Sequence, residues 1–144
     1  MDIIEIENIF KSGDRQKIEM MARNILVHGR THKFMKELSQ HAEKFNHLLS
    51  MTDSNDKDYL SLVYILADHL KEIKSGACAC TIVGKPMFNS PDRLEGILKI
   101  LDEKVNLEEY SIWTHSKCLA CGKEYESKMV ESGFGQKVIW NDFK

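Results

Sequence analysis

The chain has 144 residues, 42% hydrophobic and 29% charged, with only two prolines and a formal net charge of −2 that is spread evenly between residues 1–77 and 78–144. That length suits one domain, or one core with a small appendage, large enough to bury a real core without disulfide staples. No apolar run approaches the ~20 residues needed to span a bilayer, the opening Met1-Asp2-Ile3-Ile4-Glu5-Ile6-Glu7 is acidic where a signal peptide would be basic, and no Lys/Arg cluster supplies a basic face, so a cytoplasmic protein is expected, with no membrane partner and with nucleic acid disfavoured.

In chain order, Ile3, Ile4, Ile6, Ile9 and Phe10 recur at spacings that fit one face of a short helix, ended by Ser12-Gly13. A second helix is predicted from Asp14, a plausible N-cap, with Ile18, Met21, Ala22, Ile25 and Leu26 forming an amphipathic stripe that Gly29 closes. Thr31 suits the cap of a third helix, whose apolar positions are Phe34, Met35, Leu38, Ala42, Phe45, Leu48 and Leu49. A polar loop follows from about Met51 to Asp58, where Asn55 and Asp58 resemble a capping box. The fourth helix is expected from about Asp58 to Lys74, with Leu62, Val63, Leu66, Leu70 and Ile73 facing inward and Tyr59, Leu60 and Ile65 widening the stripe. It is the most apolar of the four, which predicts the most central position.

Ser75-Gly76 stops that helix, and the pattern changes. Cys80-Thr81-Ile82-Val83 is short and β-branched, and the residues after it include Gly84, Pro86, Asn89, Ser90 and Pro91, which punctuate chains. Residues 94–101 read as a strand, although Ser90-Pro91 also suits a helix start. Tyr110-Ser111-Ile112-Trp113-Thr114 leads into Cys118-Leu119-Ala120-Cys121-Gly122, and Lys123 to Val130 leaves it, so this C-x-x-C-G turn is placed at the tip of a hairpin. Gly133-Phe134-Gly135 turns the chain again, and Val138, Ile139 and Trp140 form a last short strand. The fold class is α+β: an N-terminal antiparallel helical bundle, residues 1–76, packed as one unit with a small antiparallel zinc-ribbon-like sheet in residues 77–144.

The four cysteines carry the chemistry. In a C-x-x-C turn two thiolates converge, backbone amides turn toward the sulfurs, and Gly122 permits the positive φ that such turns often need. Cys78 and Cys80, if extended, present both sulfurs to one face. Together Cys78, Cys80, Cys118 and Cys121 make a closed set of soft ligands, expected to hold a structural Zn2+ with Zn–S bonds of ~2.3 Å and no open position for substrate. Other readings stay open: buried free thiols acting as small hydrophobes, or a redox pair or disulfides, for which the flanking sequence offers no βαβ setting.

Catalytic constellations are thin. His41-Ala42-Glu43 with Cys118 and Cys121 copies part of the zinc-deaminase pattern, but Lys117 stands where that pattern has proline, and Cys78 and Cys80 go unused. His28 and His32 are four apart, yet Gly29 and Thr31 break the helical face that shared ligation needs. His115 could serve as a ligand or as a donor to a sulfur, against the plainer reading of an ordinary strand residue. Asp68 and His69 are adjacent, so on a helix they diverge by ~100° and form no dyad. An enzyme is disfavoured.

A helical N-terminal half, then Cys78-Ala79-Cys80, Ile97-Leu98-Lys99-Ile100-Leu101, Tyr110, Cys118-Leu119-Ala120-Cys121-Gly122-Lys123-Glu124-Tyr125 and a closing Gly135 to Trp140, resembles small bacterial immunity proteins of polymorphic or contact-dependent growth inhibition toxin systems. The resemblance covers mostly residues 78–140. It implies a cytosolic inhibitor whose partner is a cognate protein toxin. The alternative is a zinc-ribbon module of a nucleic-acid or regulatory complex. Because many toxins that act on nucleic acid have basic clefts, the expected contact face is acidic: Glu103, Glu108 and Glu109 beside Tyr110, in the turn before the C-x-x-C. The plain alternative is that these carboxylates only solvate a loop.

Overall fold

Five helices precede four strands in the computed structural model, which describes residues 2–27, 31–50, 61–85, 90–133 and 135–144. Helix α1, Ile3–Ser12, starts where Asp2 accepts a hydrogen bond from the N–H of Glu5 at 2.8 Å. Asp14 does the same for Lys17 at 3.2 Å and begins α2, Arg15–Val27, as its sequence position predicts. Thr31 caps α3, His32–Ser39, by accepting from the N–H of Phe34 at 3.1 Å. Each cap satisfies an N–H that the first turn cannot pair internally.

The run read as one helix from Thr31 to Leu49 is two. Ser39 donates its hydroxyl to the Lys36 carbonyl at 2.6 Å, while the N–H groups of Gln40 and His41 bond to Glu37 and Leu38, three residues back. Those tight bonds close the first helix, and α4, Ala42–Ser50, restarts with the N–H of Phe45 on His41. Helix α5, Ser61–Lys74, follows. Gly29, the expected polar loop with its Asn55/Asp58 capping box, Tyr59, Leu60, Pro86 and Asn89 lie outside the described residues.

Ile6 and Phe10 of α1, Ile18, Met21, Ile25 and Leu26 of α2, Met35 and Leu38 of α3, and Phe45 of α4 are buried together with Val63, Leu66, Leu70 and Ile73 of α5. Phe10 stacks on Phe45 with ring centroids 4.6 Å apart. Helix α5 packs against α2, α3 and α4, the central position its apolar sequence predicts. Helices of 8 to 14 residues are marginal alone, so burial, at roughly 1.5–3 kcal/mol per large apolar side chain, holds them. On the surface, Glu7 pairs with Lys11 and with Lys44 of α4, and these hydrogen bonds pull its carboxyl down to about 2.

The sheet is an antiparallel meander in the order β1 (Leu98–Asn106), β2 (Ser111–Cys118), β3 (Glu124–Ser132), β4 (Gly135–Asp142). The strand expected at 94–101 begins only at Leu98 and runs on to Asn106, because Pro91–Leu94 is a 3₁₀ turn. Between Ile100 and Asp102 the register against β2 shifts, leaving Leu101 as an extra residue. Beyond Leu98 the whole of β1 is exposed. Cys80 to Val83, β-branched and strand-like in sequence, instead enters a 3₁₀ turn, Ala79–Ile82. There Thr81 bonds back to the Cys78 carbonyl through both its N–H (3.1 Å) and its hydroxyl (2.9 Å), a local bond that outcompetes strand pairing. The apolar core continues from the helices through Ala79, Cys80 and Ile82 to Leu94, Leu98, Cys118 and Tyr125, and so ends at one end of the sheet.

Candidate metal centre

Two backbone devices bring the cysteine pairs together. Helix α5 ends in a reverse turn in which the N–H of Ala77 bonds to the Glu72 carbonyl at 2.9 Å and that of Gly76 to Ile73 at 3.0 Å. Gly76 takes φ 108 there, which a side chain would resist, and the turn delivers Cys78 against the helices. Cys78 is extended (φ −74, ψ 145) but Cys80 lies inside the 3₁₀ turn, so the pair converges through a turn rather than along a strand.

The second device is the β2–β3 hairpin, whose tip is the C-x-x-C-G turn as the sequence predicts. The N–H of Cys118 bonds to Lys123 at 2.8 Å, and that of Gly122 to the Cys118 carbonyl at 3.2 Å. Gly122 has φ 78. The N–H groups of Ala120 and Cys121 both point at Cys118 Sγ, each at 3.4 Å.

All four sulfurs lie within 4.8 Å of one another. Cys78 and Cys118 are 3.5 Å apart at Sγ and Cys80 and Cys121 are 3.6 Å apart, one sulfur from each motif in both pairs. These are free thiols, not disulfides. A tetrahedron with metal–sulfur bonds of ~2.3 Å has edges of roughly 3.8 Å, so both the donor set and the spacing fit a single ion. Among the described residues this is the one group of three or more His, Cys, Asp or Glu side chains with ligand spacing.

Burial and the neighbouring groups pull the thiols of Cys78, Cys80 and Cys121 in different directions. Burial pushes the Cys80 thiol well above its ordinary value, and burial likewise raises Cys78. At Cys121, the exposed rim of the site, burial also works upward but is outweighed by the Lys123 backbone N–H and the facing sulfurs, which bring the thiol below its ordinary value. Burial, and then the neighbouring Cys80, raise the phenol of Tyr125, whose O–H points at Cys80 Sγ at 3.1 Å. A metal ion would displace the protons that burial otherwise keeps on these sulfurs.

Sequence reasoning missed one neighbour. His32, set aside because its spacing to His28 is not that of a ligand pair, opens α3 with Nε2 3.4 Å from Cys118 Sγ and 3.0 Å from the Ile97 carbonyl, and Nδ1 4.0 Å from Cys78 Sγ. Its signal was long-range, since the partners lie 86, 65 and 46 residues away. His28 itself lies outside the described residues. His115, a candidate for the site, points away: it bonds Glu124 at 3.0 Å and stacks on Phe143 at 3.6 Å, on the sheet face opposite Cys118. His41 lies against Phe45 and Glu43 pairs with Lys74 at 3.2 Å, so the deaminase-like set is not assembled.

The acidic residues lie apart from the four cysteines. Glu103 sits on β1 opposite Thr114, not in the turn. Glu108, Glu109 and Tyr110 do form the β1–β2 turn, where Asn106 Oδ1 accepts from the N–H groups of Glu108 (3.1 Å) and Glu109 (3.2 Å). That turn and Cys118 lie at opposite ends of β2, an eight-residue strand roughly 25 Å long. Glu108 and Glu109 line a depression of about 630 Å³ with Lys104, Leu107, Trp113 and Lys128, and Lys128 pairs with Glu109 at 3.4 Å. Leu107 and Tyr110 are 80% and 73% exposed beside it. No helix among the described residues is long and apolar enough to cross a membrane. No family model matches the chain, and neither a curated protein nor a solved structure matches it.

Proposed function

We propose that Cys78, Cys80, Cys118 and Cys121 hold one structural zinc ion and that the chain is a cytoplasmic binding protein, an immunity-type inhibitor that occludes a cognate toxin domain. The observation that carries the metal half is the cage of four sulfurs, all within 4.8 Å of one another. Four thiolates complete the coordination of zinc, so no position remains for a substrate, and the ion's work is to hold the α5 end and the β2–β3 hairpin together in a zinc-ribbon-like arrangement.

The binding half draws support from the far end of the sheet. An exposed Leu107 and Tyr110 beside Glu108 and Glu109 combine the aromatic and aliphatic anchors of a contact surface with charge that would speed capture of a basic partner. A standard-sized complex buries on the order of 1,600 Å², which the β1–β2 end and the exposed strand β1 could supply together. The test is co-expression with any toxin domain that is found encoded beside it. Cells should survive, the purified pair should associate, and charge reversal at Glu108 and Glu109 should slow association without altering the fold. Absence of protection against any neighbouring toxin, together with nucleic-acid binding of steep salt dependence, would replace this reading with that of a nucleic-acid module.

A further inference from the structure

Each ligand pair is touched by a side chain from an element that supplies none of its cysteines. His32, on α3, brings Nε2 to 3.4 Å from Cys118 Sγ at the tip of the hairpin. Tyr125, on β3, brings its hydroxyl to 3.1 Å from Cys80 Sγ, in the 3₁₀ turn that follows α5. The proton on each donor is set by its surroundings. Nε2 of His32 faces the Ile97 carbonyl at 3.0 Å, an acceptor only, so Nε2 carries the hydrogen and shares it with the sulfur. Tyr125 is buried, and its O–H has the Cys80 carbonyl at 3.5 Å as its other acceptor.

We infer that His32 and Tyr125 are positioning residues for the metal centre, a brace in which a side chain of α3 donates a hydrogen bond to a thiolate at the hairpin tip and a side chain of β3 donates one to a thiolate of the turn after α5. The inference rests on the zinc reading. Four thiolates around a divalent ion carry two excess negative charges, and a donor to a coordinated sulfur stabilises that charge and fixes the sulfur's direction. Cys118 already receives two backbone N–H groups, whereas among the described residues no backbone donor to Cys80 Sγ accompanies the Tyr125 hydroxyl. The loss of Tyr125 should therefore be felt more than that of His32. Retention of the ion then depends on docking of α3 as well as on the cysteines.

The test compares wild type with Tyr125→Phe, His32→Leu and His32→Gln. Zinc transfer to a chromophoric chelator is followed, together with the sulfur-to-metal charge-transfer band of the Co2+-loaded proteins. Tyr125→Phe and His32→Leu should each weaken metal retention by about 10–100-fold and move the charge-transfer band to lower energy, while the metal-free proteins keep the circular dichroism of metal-free wild type. His32→Gln, which keeps an N–H near the same place, should restore retention to within a few-fold. Wild type holding one ion, with Tyr125→Phe and His32→Leu unchanged in band position and retention, would overturn this inference and leave the zinc reading standing. Wild type that binds no ion would overturn both.

Discussion

His69 offers a stability prediction whose sign and size follow from its surroundings. The residue lies on α5 with no exposed surface, and among the described residues its Nε2 has no hydrogen-bond partner while Nδ1 faces Thr81 Oγ1 at 3.5 Å. Burial, helped by the nearby Lys85 charge, lowers its pKa from 6.5 to about 4. Above pH 6.5 the ring is neutral in both the folded and unfolded chain and costs nothing. As the pH falls from 6.5 to 4 the unfolded chain takes up a proton that the folded chain refuses, so folding stability drops across that window. At ~1.36 kcal/mol for each tenfold change in proton affinity, the loss reaches about 3 kcal/mol by pH 4, a large part of a typical domain's stability. Urea unfolding of wild type and His69→Gln from pH 7 to pH 4, at one fixed zinc concentration, isolates this group, because acid release of the ion is common to both proteins. Wild type should lose about 3 kcal/mol more than His69→Gln over that range. An unchanged difference between the two proteins across the window would refute the reasoning.

Leu66 is fully enclosed where α5 meets its neighbours, so Leu66→Ala should cost roughly 2–5 kcal/mol in chemical denaturation; a loss below about 1 kcal/mol would contradict the placement of α5 at the centre of the core. Gly122→Ala meets no obstructing atom nearer than Lys117 Cε at 3.6 Å, but it must hold φ 78, so the strain should be about 1–2 kcal/mol and should appear as weaker metal binding rather than as loss of the helical half. Zinc titration beside circular dichroism of the variant checks both parts.

The elements legible in the sequence were those set by local chemistry. Asp14 and Thr31 cap helices because their side chains reach N–H groups three residues on, and the apolar stripe of α5 is a local period that tertiary packing only confirms; Asp2 does the same for α1 but was not singled out in the sequence. The C-x-x-C-G turn was readable for the same reason: its geometry is written within six residues. Where β-propensity and turn chemistry competed, turn chemistry won. Thr81, counted toward a strand, uses its hydroxyl on the Cys78 carbonyl, and Ser39 ends a helix that its neighbours' periodicity would have continued. Contacts between distant segments left no local trace. Nothing in the vicinity of His32 announces Cys118, because that contact depends on how α3 docks; the face of His115 follows from strand alternation, which turns residues three apart on β2 to opposite sides. The acidic turn was found in sequence, but its distance from the cysteines follows only from the length of β2.

The central claim, one zinc ion shared by all four cysteines, is tested most directly by elemental analysis of the purified protein and its Cys78→Ser variant side by side. Wild type should carry one zinc per chain, and Cys78→Ser should lose most of it, since three sulfurs leave the tetrahedron open. Full zinc occupancy in Cys78→Ser, or none in wild type, would contradict the account.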